Sequence, residues 1–95
     1  MIERHITFDV PAGRDQAFER FFVDAYRPAM SRAPGFVGVD LLREIDEPSH
    51  YHMTLRFRDA DAAAGWRTSP EHQALQPELT MLATTSQIQG YDVIA

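Results

Sequence analysis

Apolar and polar residues alternate along residues 2–10, with Ile2, Ile6, Phe8 and Val10 on one face and Glu3, His5, Thr7 and Asp9 on the other. A period of two predicts a half-buried strand, and only Arg4 breaks its apolar side. Pro11-Ala12-Gly13 interrupts the pattern. From Arg14 the period lengthens: Phe18, Phe21, Phe22, Ala25 and Ala29 recur at spacings of three and four, the stripe of an amphipathic helix. Pro28 falls near the end of that stripe, where its ring and missing N–H should bend or stop the last turn. Pro34-Gly35 then closes the element.

A second strand is expected over Phe36 to Glu44, nearly continuous in apolar residues through Val37, Val39, Leu41 and Leu42. After the acidic turn Asp46-Glu47-Pro48-Ser49 comes the cleanest alternation in the chain. Tyr51, Met53, Leu55 and Phe57 face one way, and His52, Thr54, Arg56 and Arg58 the other. The short polar connection predicts an antiparallel hairpin. Asp59-Ala60-Asp61 opens an alanine-rich helix ending near Arg67, with either Asp available as N-cap. Ser69-Pro70-Glu71 offers a fresh start, with serine at the cap, proline at the first position and an acid in the first turn. Pro77-Glu78 resembles a third start, so residues 60–84 read as broken helix rather than one rod. Strand character returns from Gln87 to Ile94.

The order strand, helix, strand, strand, helix, strand predicts an α+β, ferredoxin-like βαββαβ fold. It comprises four antiparallel strands with both helices on one face, built as a single domain over residues 1–95. The opposite face, carrying His5, Thr7, Asp9, His52, Thr54, Arg56 and Gln89, either stays wet or meets the sheet of a second copy.

Composition narrows the chemistry. With 95 residues the chain can build one modest core. It holds no cysteine, which removes disulfides, thiolate catalysis, iron–sulfur clusters and Cys-based zinc sites. Fourteen acids against nine bases give a net charge of −5, and the bases are scattered arginines with no lysine. Such a surface repels phosphates, so no nucleic acid partner is expected. No apolar run approaches the roughly 20 residues of a membrane span. The N-terminus enters a strand pattern at once without the apolar core of a signal peptide, so a cytoplasmic location is expected.

The most informative stretch is Trp66-Arg67-Thr68-Ser69-Pro70-Glu71-His72. It places the only tryptophan at the close of one helix and a histidine in the first turn of the next. A helix N-terminus favours neutral imidazole over imidazolium. A neutral histidine beside an indole face suits a pocket for a flat aromatic molecule. The bland alternative is a core tryptophan and a histidine that meets only backbone or solvent. A second cluster joins His5 and His52, on neighbouring strands, with Asp9 nearby. Two imidazoles and a carboxylate suit zinc or iron. The same face is the one expected to meet a partner, however, and His50 belongs to the turn and is expected to lie free in solvent, so no metal site is assigned. Arg56 and Arg43 are expected to pair with Asp40, Glu44 or a partner's acids.

Phe18 in the first helix, Pro34-Gly35-Phe36 before the second strand, Tyr51 to Phe57 in the third, and the Trp66, Ser69, His72 triplet form an ordered set. Together they resemble the antibiotic biosynthesis monooxygenase (ABM) domain of the dimeric α+β barrel superfamily, over essentially the whole chain. That resemblance implies a homodimer in which two ferredoxin-like sheets pack into a barrel, with a pocket between each subunit's helices and its own sheet. It implies a monooxygenase that oxidises a small aromatic, quinol-type molecule with O₂ and needs no cofactor, neither metal nor flavin. Trp66 and His72 would be the catalytic residues, and Phe18, Phe22, Met53, Leu55 and Phe57 would line the pocket. The alternative within the same fold is a non-catalytic ligand-binding or accessory dimer. The haem-degrading branch of the family pairs an asparagine in the first strand with a histidine further along the second helix. This chain contains no asparagine and no histidine after His72, which counts against that activity.

Overall fold

The computed structural model describes residues 1–95 in full. Four strands, β1 (Ile2–Asp9), β2 (Phe36–Arg43), β3 (His50–Phe57) and β4 (Thr84–Asp92), form one sheet in the order β2-β3-β1-β4. All three pairings are antiparallel. Two helical regions cover one face. The first runs through α1 (Asp15–Phe21), a π-turn (Phe22–Tyr26) and α2 (Arg27–Ser31). The second consists of α3 (Ala60–Arg67) and α4 (Pro70–Leu82). This is the expected ferredoxin-like architecture.

The core lies between helices and sheet. The inward residues of β3, Tyr51, Met53, Leu55 and Phe57, are all buried, and they meet Phe8 from β1 and Phe18, Phe21, Phe22, Tyr26 and Met30 from the first helical region. Each such side chain contributes roughly 1.5–3 kcal/mol through its burial. No polar or charged residue is fully buried. No helix is long and apolar enough to cross a membrane.

Three expectations need correction, while Pro28 does fall in the last turn of the first helical region, which ends at Ser31. The π-turn just before Pro28 bonds the Arg27 N–H to the Phe22 carbonyl five residues back, and this wider turn accommodates a residue that lacks its own N–H. Pro77 does not start a new helix, because α4 runs unbroken through it from Pro70 to Leu82. One lost backbone bond is outweighed by packing on both sides of it, where Leu75, Leu79 and Leu82 reach the core. The single break in residues 60–84 lies at Thr68-Ser69, where Ser69 Oγ accepts the His72 N–H at 3.1 Å and caps α4. The last strand begins at Thr84, three residues earlier than its apolar content suggests, because β4 is an exposed edge whose pairing with β1 is by backbone. His50, finally, is not free: it opens β3 and is surrounded by Asp9 (3.1 Å), Glu44 (2.9 Å) and Glu47 (2.9 Å). Hydrogen bonding to Glu44 leads the effects that raise its pKa.

Candidate functional site

A cleft of about 120 Å³ opens between the second helical region and the β1–β4 side of the sheet. The hairpin partner strand β3 contributes Leu55, the π-turn contributes Tyr26, α3 ends on Trp66 and Arg67, and α4 supplies His72, Gln76 and Leu79. Arg4 and Ile6 from β1 and Ile88 from β4 close the sheet side. The break between α3 and α4 makes this arrangement possible. Asp59 caps α3 through the Ala62 N–H at 2.8 Å, and α3 then ends just after its indole. Ser69 bridges the two helices, donating to the Trp66 carbonyl at 2.8 Å while capping α4 at His72. Six residues of separation in sequence therefore become direct contact.

Three rings meet edge to face at one end of the cleft. The Trp66 and His72 centroids are 5.1 Å apart, Tyr26 and Trp66 5.7 Å, and Tyr26 and His72 6.3 Å. Interplanar angles of 76°, 87° and 63° put ring edges against ring faces, the arrangement that aromatic quadrupoles favour. Burial pushes the Tyr26 phenol up to about 12, so it stays protonated and serves as a donor. Burial is also the main cause that lowers the pKa of His72, with Arg4 and Arg67 adding to it, so the imidazole is neutral at neutral pH. The Gln76 side-chain amide lies 3.0 Å from His72 Nε2. Donation from that amide fixes the proton on Nδ1. Nδ1 is buried and makes no well-formed hydrogen bond, although the nearby Arg67 carbonyl favours the protonated ring.

The expected site residues divide into two groups. Trp66, His72 and Leu55 line this cleft together. Phe18, Met53 and Phe57 are core residues, with Phe57 fully buried against Phe36, and they do not border the cleft. Phe22 borders a different, wider depression between α1 and the β2 edge, with Glu19, Arg27, Arg43 and Tyr51. The polar groups there are largely paired with each other: Arg43 binds Glu19 at 3.2 Å, and Tyr51 also donates to Glu19. Arg43 thus pairs across to α1, and Arg56 pairs with Glu3 on β1, neither with Asp40 or Glu44. On the outer face His5 and His52 do stand together, 5.0 Å between centroids. Asp9 turns away to His50, and His5 is held by Glu3 at 2.6 Å, so the three do not form one cluster. Glu44, Glu47 and His50 bring ligand-type atoms within 4.8 Å of one another, an arrangement explained by the two carboxylates meeting one imidazole, whose pKa they raise.

Three cleft residues escape the apolar-stripe reading of the sequence. Tyr26 lies four residues after Phe22 and eight after Phe18, a spacing that places it on their face. Gln76 lies one helical turn after His72. Arg4 is the residue that breaks the apolar side of β1.

A βαββαβ domain with an aromatic-walled cleft between its helices and its sheet defines a class of small ferredoxin-like α+β proteins. The model of the antibiotic biosynthesis monooxygenase family matches residues 1–78, and the chain belongs to that family. The fold closely follows that of SnoaB, a cofactor-independent oxygenase from Streptomyces nogalater. The two share 26% identity at a TM-score of 0.88, over 99% of this chain and 93% of SnoaB. A Bordetella bronchiseptica protein assigned to the same family is similar at 25% identity and a TM-score of 0.87, over 99% and 97% of the two chains. HapK from Hahella chejuensis shares the fold at 15% identity and a TM-score of 0.87, over 99% and 93%. No curated protein matches the sequence significantly.

Proposed function

We propose that this chain is a cofactor-independent monooxygenase of a small aromatic phenol or quinol, working as a homodimer. The observation that carries the reading is the cleft beside Trp66, in which a neutral His72 stands against the indole. Its volume is close to the roughly 150 Å³ of a cavity known to take benzene, so one aromatic ring is the natural size of ligand. Kinship with the monooxygenase family and the fold shared with SnoaB support the chemistry.

The reaction needs no external reductant. A phenol with a free ring position reacts with O₂ to give a quinone and water, one oxygen atom entering the ring C–H position and the other leaving as water. The substrate supplies all four electrons. The protein's task is to bind, deprotonate and shield. In this reading the ligand hydroxyl displaces the Gln76 amide and gives its proton to His72 Nε2. Tyr26 donates to an oxygen of the substrate, and Trp66 forms the wall against which the ring lies. With purified protein and a panel of phenols, naphthols and quinols, oxygen uptake proportional to protein concentration is the expected result. Uptake indistinguishable from that of buffer across the panel would sink the oxygenase reading.

One feature favours a second reading, a binding protein without chemistry: both imidazole nitrogens are already occupied or enclosed, Nε2 by Gln76 and Nδ1 by burial. Ligand binding without oxygen uptake distinguishes it. The homodimer is supported by the outer sheet face, where Leu42 is 52% and Tyr91 45% exposed among the polar side chains of β1 and β3. Sedimentation velocity is expected to show a dimer at micromolar concentration, and a monomer there would remove that part of the proposal.

A further inference from the structure

We propose that the ligand of this cleft carries a planar, singly charged oxyanion on its aromatic ring, and that Arg4 and Arg67 hold it. This rests on the reading of the cleft as a ligand site and specifies the class of ligand. Acids outnumber bases fourteen to nine in the chain, yet no Asp or Glu lines the cleft while two guanidiniums do. Arg4 is half-buried on the inward face of β1, and neither it nor Arg67 makes a salt bridge or a side-chain hydrogen bond. Of the other seven arginines, Arg14, Arg43, Arg56 and Arg58 find a carboxylate or a carbonyl, and Arg20, Arg27 and Arg32, which also lack one, lie outside this cleft.

A partly desolvated cation beside a like charge, with no acid lining its cleft, is unfavourable unless an anion completes it. Burial, followed by the charge of Arg67, lowers the pKa of Arg4, with only the Tyr26 phenol acting the other way. Space is available as well. Arg4 pairs across the ladder with Gly90, and a side chain there would meet nothing within 4 Å. The guanidinium fork matches two coplanar oxygens or one phenolate oxygen in the ring plane. The rest of the ring would then lie toward Trp66, Tyr26 and Leu55. Two sources share this chemistry, the carboxylate of an aromatic acid and the oxygen of an ionised phenol, in either case a group other than the hydroxyl that gives its proton to His72.

Isothermal titration of the full chain with benzoate, its neutral ester methyl benzoate, and 4-nitrophenol at a pH where the phenol is mostly ionised separates these cases. Arginine hydrogen bonds to a charged oxygen are strong enough that at least one anion should bind about thirtyfold more tightly than the ester. Benzoate ahead of nitrophenolate assigns a carboxylate, and the reverse order assigns a phenolate. Arg4→Gln should abolish the preference, and Arg67→Gln, an exposed change that leaves the fold alone, should reduce it severalfold. Equal binding of anion and ester by the wild type, or a preference untouched in Arg67→Gln and in folded Arg4→Gln, overturns the proposal. The titration reads no turnover. Anion preference without oxygen uptake would keep this inference and remove the oxygenase reading, and turnover of quinols without anion preference would do the opposite.

Discussion

Gly35→Ala is expected to destabilise the protein by about 3 kcal/mol, lowering its thermal midpoint by roughly 12–24 °C for a domain of this size. Two separate effects combine. Gly35 has φ +81°, a left-handed backbone that costs an L-residue about 1–2 kcal/mol. The added methyl would also stand 2.5 Å from the Ala62 Cβ, so α3 would have to move. That movement is resisted at the start of α3, because the Gly35 carbonyl accepts the Arg58 N–H at 2.8 Å and Asp59 caps the helix immediately after. The two effects can be separated by chemical denaturation. Gly35→Ala combined with Ala62→Gly removes the overlap but not the backbone cost, so the double variant should regain about half of the loss after allowing for the Ala62→Gly change alone. Wild-type stability in Gly35→Ala would refute the tight approach of turn to helix.

The fold was readable because its signals are local. Alternation in β1 and β3, the acidic turn before β3 and the caps at Asp59 and Ser69 each act over a few residues, and all point to one order of elements. The misreadings have a common cause in tertiary packing. A proline is a stop signal when only its own backbone counts, but Pro77 sits in a helix held by core leucines, and the element continues. The start of β4 escapes composition because an edge strand needs only backbone partners. The site was legible in part. Trp66 and His72 stand out through rarity and helix position. Met53 and Phe57 lie on the same strand face as Leu55, and alternation alone does not say which of the three borders a cavity. Arg4 was visible as a flaw in a pattern. A charge on the inward side of a strand is costly enough that its place marks an opening in the core.

His72→Gln is expected to lower kcat about a hundredfold or more while leaving ligand affinity within a fewfold, the usual consequence of removing a positioned proton acceptor. Glutamine keeps a polar side chain of similar reach and can still meet Gln76, so packing around Trp66 should survive. Its amide cannot take up a proton near neutral pH. The pH profile supplies the sharper check. Burial holds the His72 pKa below 6.5, so the base form is fully present above that value and is lost only as pH falls through the lowered one. The acid limb of the wild-type kcat/KM profile, which reports the free enzyme, should therefore have its midpoint below 6.5 and should vanish in His72→Gln. The same shift bears on stability. An imidazole that resists protonation when folded lets the unfolded chain bind the extra proton, so its stabilising effect is present above pH 6.5 and declines as the solution is acidified. His50 acts in the opposite sense, because its carboxylate partners raise its pKa and favour the folded state at low pH, but it is exposed and remote from the cleft. His50→Gln should thus alter the acid stability curve and leave the kcat/KM profile in place. If instead the acid limb persists in His72→Gln, the proton is accepted elsewhere, and His72 serves only to shape the wall beside the indole.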